Sequence, residues 1–166
     1  MAVKIAVISD THVGQRISAY PAGFLREIGR CDIIAHAGDH TSIASLELLE
    51  SQGELRAVHG NMDEMAVADV LPAKLTFDVE GVCIGITHGS GAPDGIERRV
   101  LEVFDDSQKP DIIIFGHSHK PCDLIIDGVR MINPGSLSGN IGGRPPSWGV
   151  LTIDGDNIDW RHIAMR

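Results

Sequence analysis

Residues Ile5-Ala6-Val7-Ile8 run without interruption into Ser9-Asp10-Thr11-His12. A short, wholly apolar run that stops abruptly at polar residues reads as a strand buried on both faces, its tip opening on a site. The pattern recurs along the chain. Ile33-Ile34-Ala35 leads into His36-Ala37-Gly38-Asp39-His40, residues 55–58 into His59-Gly60-Asn61, residues 82–86 into Thr87-His88-Gly89, and residues 112–115 into Gly116-His117-Ser118-His119. Each of the five apolar segments ends in side chains able to hold a metal.

Between the strands lie helix-like segments at 22–28, at 42–50 with Ser42 as N-cap, and at 93–104, where Ile96, Val100, Leu101 and Phe104 recur at helical spacing. The last third changes character. Residues 122–126 and 129–132 flank Asp127-Gly128, and residues 150–153 and 158–162 flank Asp154-Gly155-Asp156-Asn157, so both pairs read as hairpins. These elements predict one α/β domain over 1–166, a mixed parallel and antiparallel β-sandwich flanked by helices, with a Gly/Pro-rich loop at 139–146.

Composition agrees with a globular chain: 166 residues, 43% hydrophobic, 22% charged and 4% aromatic. A chain of this length buries enough surface to fold without a structural metal, so a metal here serves chemistry. The formal charge of −9 disfavours a long nucleic-acid partner, whose phosphate backbone selects basic proteins. Local cations can nevertheless invert the field for a small phosphate ester. Cys31, Cys83 and Cys122 are odd in number and form no C-x-x-C pair, which fits a reducing cytoplasm. Neither a signal-peptide core nor an apolar run long enough to span a membrane is present in the sequence.

Open α/β sheets place ligands at the carboxyl ends of their strands. There the chain collects Asp10, His12, Asp39, Asn61, His88, His117 and His119, too many groups for one tetrahedral metal and suited to two metals sharing a bridging carboxylate. Oxygen and imidazole donors without thiolate favour Mn, Fe, Zn, Ni or Co, with Mn leading. The glycines before Asp39, Asn61 and His117 predict tight, positive-φ turns that aim the side chains.

In this order, D-x-H, G-D, G-N, H-G and G-H-S-H resemble the signature of the calcineurin-like metallophosphoesterases. The short length, the terminal hairpins and Asn133-Pro134-Gly135-Ser136 resemble their small bacterial and archaeal phosphodiesterase group. The resemblance implies a two-sheet sandwich in which Asp10, His12 and His119 hold one divalent ion, Asn61, His88 and His117 hold the other, and Asp39 bridges them. It further implies attack by a metal-bridging hydroxide on a small phosphodiester, with Asp39 and Asn61 central to catalysis and Asn61 and His88 near the substrate. A homodimer is a further expectation from resemblance. Two rival expectations are a phosphoesterase-fold binding scaffold, like the retromer subunit, and a nucleotide phosphomonoesterase served by Arg144 reaching in from its loop.

One departure from the wider family stands out. Many members read G-N-H-[DE], whereas this chain reads Gly60-Asn61-Met62-Asp63, and a thioether has no proton to give a leaving group. Weaker turnover on esters that need protonation follows, with His40 or Asp63 as conceivable replacement acids. Met62 otherwise reads as a filler of an apolar gap, and Asp63 as a helix cap or a partner that orients a ligand. His36, His40 and His59 sit beside the motifs, as ligand supports, phosphate contacts or packing residues. His162 reads as structural, Glu97-Arg98-Arg99 as a solvated helix face, Ser136 as part of a turn near the site, and Trp148 and Trp160 as core or subunit contacts.

Overall fold

The computed structural model describes residues 1–105, 107, 109–140 and 142–165. Among these, strands and helices follow in the order β1 (Val3–Ile8), α1 (Ala22–Ile28), β2 (Ile33–His36), α2 (Ile43–Glu50), β3 (Glu54–Ala57), α3 (Met65–Val70), β4 (Lys74–Val79), β5 (Val82–Thr87), α4 (Ile96–Glu102), β6 (Ile112–Ile114), β7 (Cys122–Ile126), β8 (Val129–Asn133), β9 (Ser147–Asp154) and β10 (Asn157–Ala164). They form two five-stranded sheets, ordered β10-β9-β1-β2-β3 and β4-β5-β6-β8-β7. The fold is thus the expected two-sheet mixed sandwich.

Each sheet has three parallel strands, β1-β2-β3 in one and β5-β6-β8 in the other, with antiparallel strands completing it. Side-chain alternation explains the apolar runs. Ile5 and Val7, with Leu151 of the same sheet, face the other sheet, where they pack with Ile84, Ile86, Ile112 and Ile114. Ala6 and Ile8 face outward beneath Phe24 and Ile28 of α1 and Leu49 of α2. On the second sheet, Ile113 and Phe115 point away from the sandwich and are covered by Ile96, Val100 and Leu101 of α4. With both faces covered, these strands have no solvent side on which to place polar residues.

The hairpin turn at Asp127 (φ 49°) and Gly128 (φ 81°) has the paired positive φ values that join twisted strands. Ser42 caps α2, its side chain accepting from the Ser45 backbone N–H at 3.3 Å. Two elements are additional to the sequence reading. Strand β4 alternates exposed Lys74, Thr76 and Asp78 with inward Leu75, Phe77 and Val79, and turns into β5 through Glu80 (φ 50°) and Gly81 (φ 87°). Helix α3 buries only Val67, leaving Met65 80% and Val70 61% exposed, which is why no apolar periodicity announces it. Helix α4 starts three residues later than expected, at Ile96, because Gly95 adopts φ 71°. Arg99 curls back from α4 to the carbonyls of Ser90, Ala92 and Asp94 and so holds the preceding loop, rather than facing solvent with Arg98. In the 139–146 loop, Ile141 lies outside the described residues.

Both tryptophans contribute to the core: Trp148 stacks edge-on to Phe24 at 5.5 Å between ring centroids, and Trp160 packs against the inter-sheet cluster. Gly149 on β9 makes room for the latter, since a Cβ there meets the Trp160 ring carbons at 2.7 Å or less. Gly149→Ala is therefore expected to lower unfolding free energy by about 1–3 kcal/mol through overpacking. Denaturant titration is the check, and an unchanged midpoint contradicts this account of the indole's seat.

Candidate metal centre

All seven expected ligands meet at one rim of the sandwich. Asp10 and His12 follow β1, Asp39 follows β2 and Asn61 follows β3, whereas His88 follows β5 and His117 and His119 follow β6. The first four thus come from one sheet and the last three from the other.

Each carboxylate has one oxygen held by the protein and one turned to imidazoles. Asp10 Oδ2 accepts from Ser9 Oγ at 2.6 Å and from the His117 N–H at 3.1 Å. Its Oδ1 lies 3.0 Å from His119 Nε2 and 3.9 Å from Nε2 of both His12 and His88. Asp39 Oδ1 accepts from the Met62 N–H at 2.8 Å, and its Oδ2 lies 3.3 Å from His88 Nε2 and 3.7 Å from His12 Nε2. That oxygen therefore stands between a histidine of each expected set.

Histidine orientation follows from the outward nitrogen. His88 Nδ1–H donates to the Ala37 carbonyl at 2.6 Å, and His117 Nε2–H donates to the Gly91 carbonyl at 2.9 Å. The opposite nitrogens, His88 Nε2 and His117 Nδ1, both approach Asn61 Oδ1, at 3.1 and 3.0 Å. A backbone carbonyl behind each imidazole fixes the tautomer that presents a lone pair to the centre.

Asp10 Oδ1 and both ring nitrogens of His12 are buried without a hydrogen-bond partner among the described residues. Unpaired buried polar atoms cost about 1–3 kcal/mol each. A divalent cation satisfies the carboxylate oxygen and an imidazole together, so this donor set fits a metal. Asp10, His12 and His119, and likewise Asp10, Asp39 and His88, bring their ligand atoms within 4.8 Å of one another. Asp10 consequently belongs to both clusters, whereas the resemblance assigned it to one.

Five of the seven candidate ligands, and Thr41 beside them, occupy strained backbone. Asp10, His12, Asp39, Thr41, His117 and His119 all have φ between 46° and 98°, a region worth about 1–3 kcal/mol of strain per non-glycine residue. Of the three glycines expected to supply positive φ, only Gly38 does so, at 97°. Gly60 and Gly116 serve close approach instead: a Cβ on Gly60 collides with the Asp39 carboxylate, and one on Gly116 with Ser9 Oγ and Asp10 Oδ2.

Asp63 holds this geometry. Its carboxylate accepts from the backbone N–H groups of Gly60 at 2.7 Å, Asp39 at 3.1 Å and Thr41 at 2.6 Å. Glu64, not Asp63, stands at the N-cap of α3. Asn133 ties the other loops, its amide donating to the Gly116 carbonyl at 3.0 Å, while Ser136 and Ser138 both donate to the Asp10 carbonyl, at 2.8 and 3.1 Å. Beneath the site His36 accepts from the Gly38 N–H at Nδ1 and donates from Nε2 to Thr11 Oγ1, which Tyr20 also reaches. Tyr20 had no signal in the sequence, and Asn133 stood in a quoted motif without its role, because their partners Thr11, Ser45 and Gly116 lie elsewhere along the chain.

Neither conceivable replacement acid is placed to give a proton. His40 is fully buried, stacked on His36 at 3.6 Å, with Nε2–H on the Val58 carbonyl at 3.1 Å. Asp63 is committed to its three N–H donors. Met62 fills no gap, being 46% exposed. His162 is exposed on β10, and with Arg144 it borders a cavity of about 200 Å³ that reaches His119. Arg16 brings a guanidinium within 3.4 Å of His119 Nδ1.

Burial lowers the pKa of His36, His40 and His12, and the neighbouring histidines reinforce this at His36. Burial opposes charge at His88 too, but the hydrogen bond with Asp39 and the Asp10 and Asp39 charges prevail and push it up to about 9. Asp39 is lowered, the His88 interaction and the Met62 N–H outweighing its burial. In the metal-free protein His88 therefore carries a proton at neutral pH that ligation displaces. Divalent-metal affinity is expected to climb from pH 6.5 to about 9 with proton release, read by calorimetry in buffers of different ionisation enthalpy; pH-independent affinity refutes it. Asp63→Ala is expected to cost about 2–4 kcal/mol of stability and about 10- to 100-fold in metal affinity, read by denaturation and metal titration. Unaltered metal affinity in a folded variant would remove Asp63 from the centre.

The model of the calcineurin-like phosphoesterase superfamily domain matches residues 3–156. A probable metallophosphoesterase of Methanothermobacter thermautotrophicus is 34% identical over 159 residues, covering 93% of this chain and 88% of that protein. Phosphodiesterase MJ0936 of Methanocaldococcus jannaschii is 25% identical over 175 residues, covering 98% and 99%. The solution structure of Thermotoga maritima protein TM1076 superposes with a TM-score of 0.79 at 37% identity, covering 98% of this chain and 99% of that one. With the ligand motifs in family order on the family's two-sheet frame, the chain belongs to the calcineurin-like phosphoesterase superfamily.

Proposed function

We propose that this chain is a metal-dependent phosphodiesterase using two divalent ions, one held by Asp10, His12 and His119 and the other by Asn61, His88 and His117, with Asp39 bridging. The observation that carries the reading is the position of Asp39 Oδ2, 3.7 Å from His12 and 3.3 Å from His88. Two cations bound there supply a water acidified towards neutral pH and a clamp on the phosphoryl oxygens. Mn²⁺ is the ion to test first, with Ni, Zn, Fe and Co beside it, since carboxylate, amide and imidazole donors accommodate all five.

The protein's own groups orient the reaction. The Met62 backbone N–H pins Asp39 Oδ1, so Oδ2 alone faces the centre. Asn61, its Oδ1 directed at His88 and His117, retains an NH₂ group for a phosphate oxygen. The exposed thioether at position 62 offers no proton, which favours esters whose alcohol departs unprotonated. A diester, carrying one charge on phosphorus where a monoester carries two, needs less compensation from the cations near the rim, Arg16 and Arg144 towards His119 and Lys74 and Arg99 beside Asn61 and His88. The kinship to a protein named as a phosphodiesterase supports the same class.

The test is metal-dependent hydrolysis of aryl phosphodiesters graded by leaving-group pKa, with steep dependence expected and Asp39→Asn inactive but folded. Full activity in Asp39→Asn would falsify the bridging role. Absence of turnover with Mn, Ni, Co and Zn favours a binding scaffold, and faster monoester hydrolysis favours a phosphomonoesterase.

A further inference from the structure

A cavity of roughly 500 Å³ opens beside the candidate centre, between the loop after β3, the start of β4, the end of β5 and the outer turn of α4. It falls within the range of about 300–1,000 Å³ usual for small-molecule sites. Asn61 and His88, both candidate ligands, form its inner wall, so whatever occupies it is continuous with a group held at the metals. Ala73, Val100 and Val103 make the opposite wall apolar. Lys74 and Arg99 also line it. Lys74 Nζ is spent on the Val103 carbonyl and lies over the Phe104 ring, and Arg99 is spent on three loop carbonyls. These contacts hold both side chains against the cavity wall.

Resting on the phosphodiesterase reading, we infer that this cavity seats one ester substituent of the substrate, an aryl- or nucleoside-sized group without positive charge. The phosphate then lies at the mouth, against Asn61 and His88, while the organic group exchanges water for the walls of Ala73 and Val103. Lys74 and Arg99 add a field that holds the anionic diester and repels a cationic substituent. The substrate class is accordingly a diester bearing at least one bulky, largely apolar alcohol. A compact diester of two short alcohols leaves the cavity unfilled.

Val103, the C-cap residue of α4, is 38% exposed and is not one of the candidate ligands. In Val103→Trp, KM for bis(4-nitrophenyl) phosphate is expected to rise about tenfold or more, kcat to change little, and inhibition by inorganic phosphate, which needs only the metals, to stay as in wild type. No rise in KM, or a rise matched by the phosphate inhibition constant, overturns the assignment. A second measurement needs neither turnover nor the variant. In the metal-loaded wild-type protein, the Val100 and Val103 methyl resonances are expected to move on titration with phenyl phosphate and to stay fixed with inorganic phosphate; identical responses overturn the cavity's role. If wild type hydrolyses no diester, the functional reading fails by itself, and the methyl titration still decides whether the cavity takes the organic group.

Discussion

Two carboxylates buried side by side constrain everything around them. Asp10 is fully buried and Asp39 nearly so, and like charges at that proximity are tolerated only where cations or hydrogen-bond donors compensate them. The chain compensates half of each group: one oxygen is held by Ser9 and the His117 N–H, or by the Met62 N–H, and the other is left among imidazoles. In the metal-free protein a raised His88 supplies part of the missing charge. The centre is therefore a prearranged electrostatic deficit, built by side chains whose remaining atoms are already committed.

Holding that arrangement requires strained backbone at the strand tips, and the strain is distributed over a frame of unstrained elements. Three parallel strands in each sheet bring the loops to the same rim. Asp63, Asn133, Ser136 and Ser138 then tie loop to loop through backbone N–H and carbonyl groups. Arg99 does the same for the loop after β5, whose Gly91 carbonyl in turn sets the His117 tautomer. Residues outside the candidate ligand set thus fix the directions in which its side chains point.

Much of this was legible in the sequence because burial on both faces leaves an unmistakable trace. The runs at 5–8 and 112–115 carry apolar residues on inward and outward faces alike, and their polar tips mark the rim. The candidate ligands were legible as polar residues directly after apolar runs and by their family order, whereas His36 and His40, in the same kind of position, are held in other hydrogen bonds. Strand β4 was missed because, as an edge strand, it buries only alternate residues, and α3 because it buries only Val67. The roles of Gly60, Gly116 and Asp63 depend on which atoms approach across two loops. A glycine that avoids a collision and one that adopts positive φ are the same letter, and only tertiary structure separates them.

The strand order has a consequence for how the protein is made. The sheet containing β4 to β8 is continuous in sequence, whereas the other joins β1, β2 and β3 to β9 and β10 from the far end of the chain. Strand β1 needs β9 as its neighbour, with Ala6 opposite Val150. During synthesis, then, β1, β2 and β3 emerge before β9 and keep the β1 edge unpaired until β9 follows, while β4 to β8 can complete their own sheet earlier. An exposed parallel edge of this kind invites pairing with other chains, so the nascent chain's period of greatest aggregation risk falls late in translation and ends with the carboxyl-terminal hairpin.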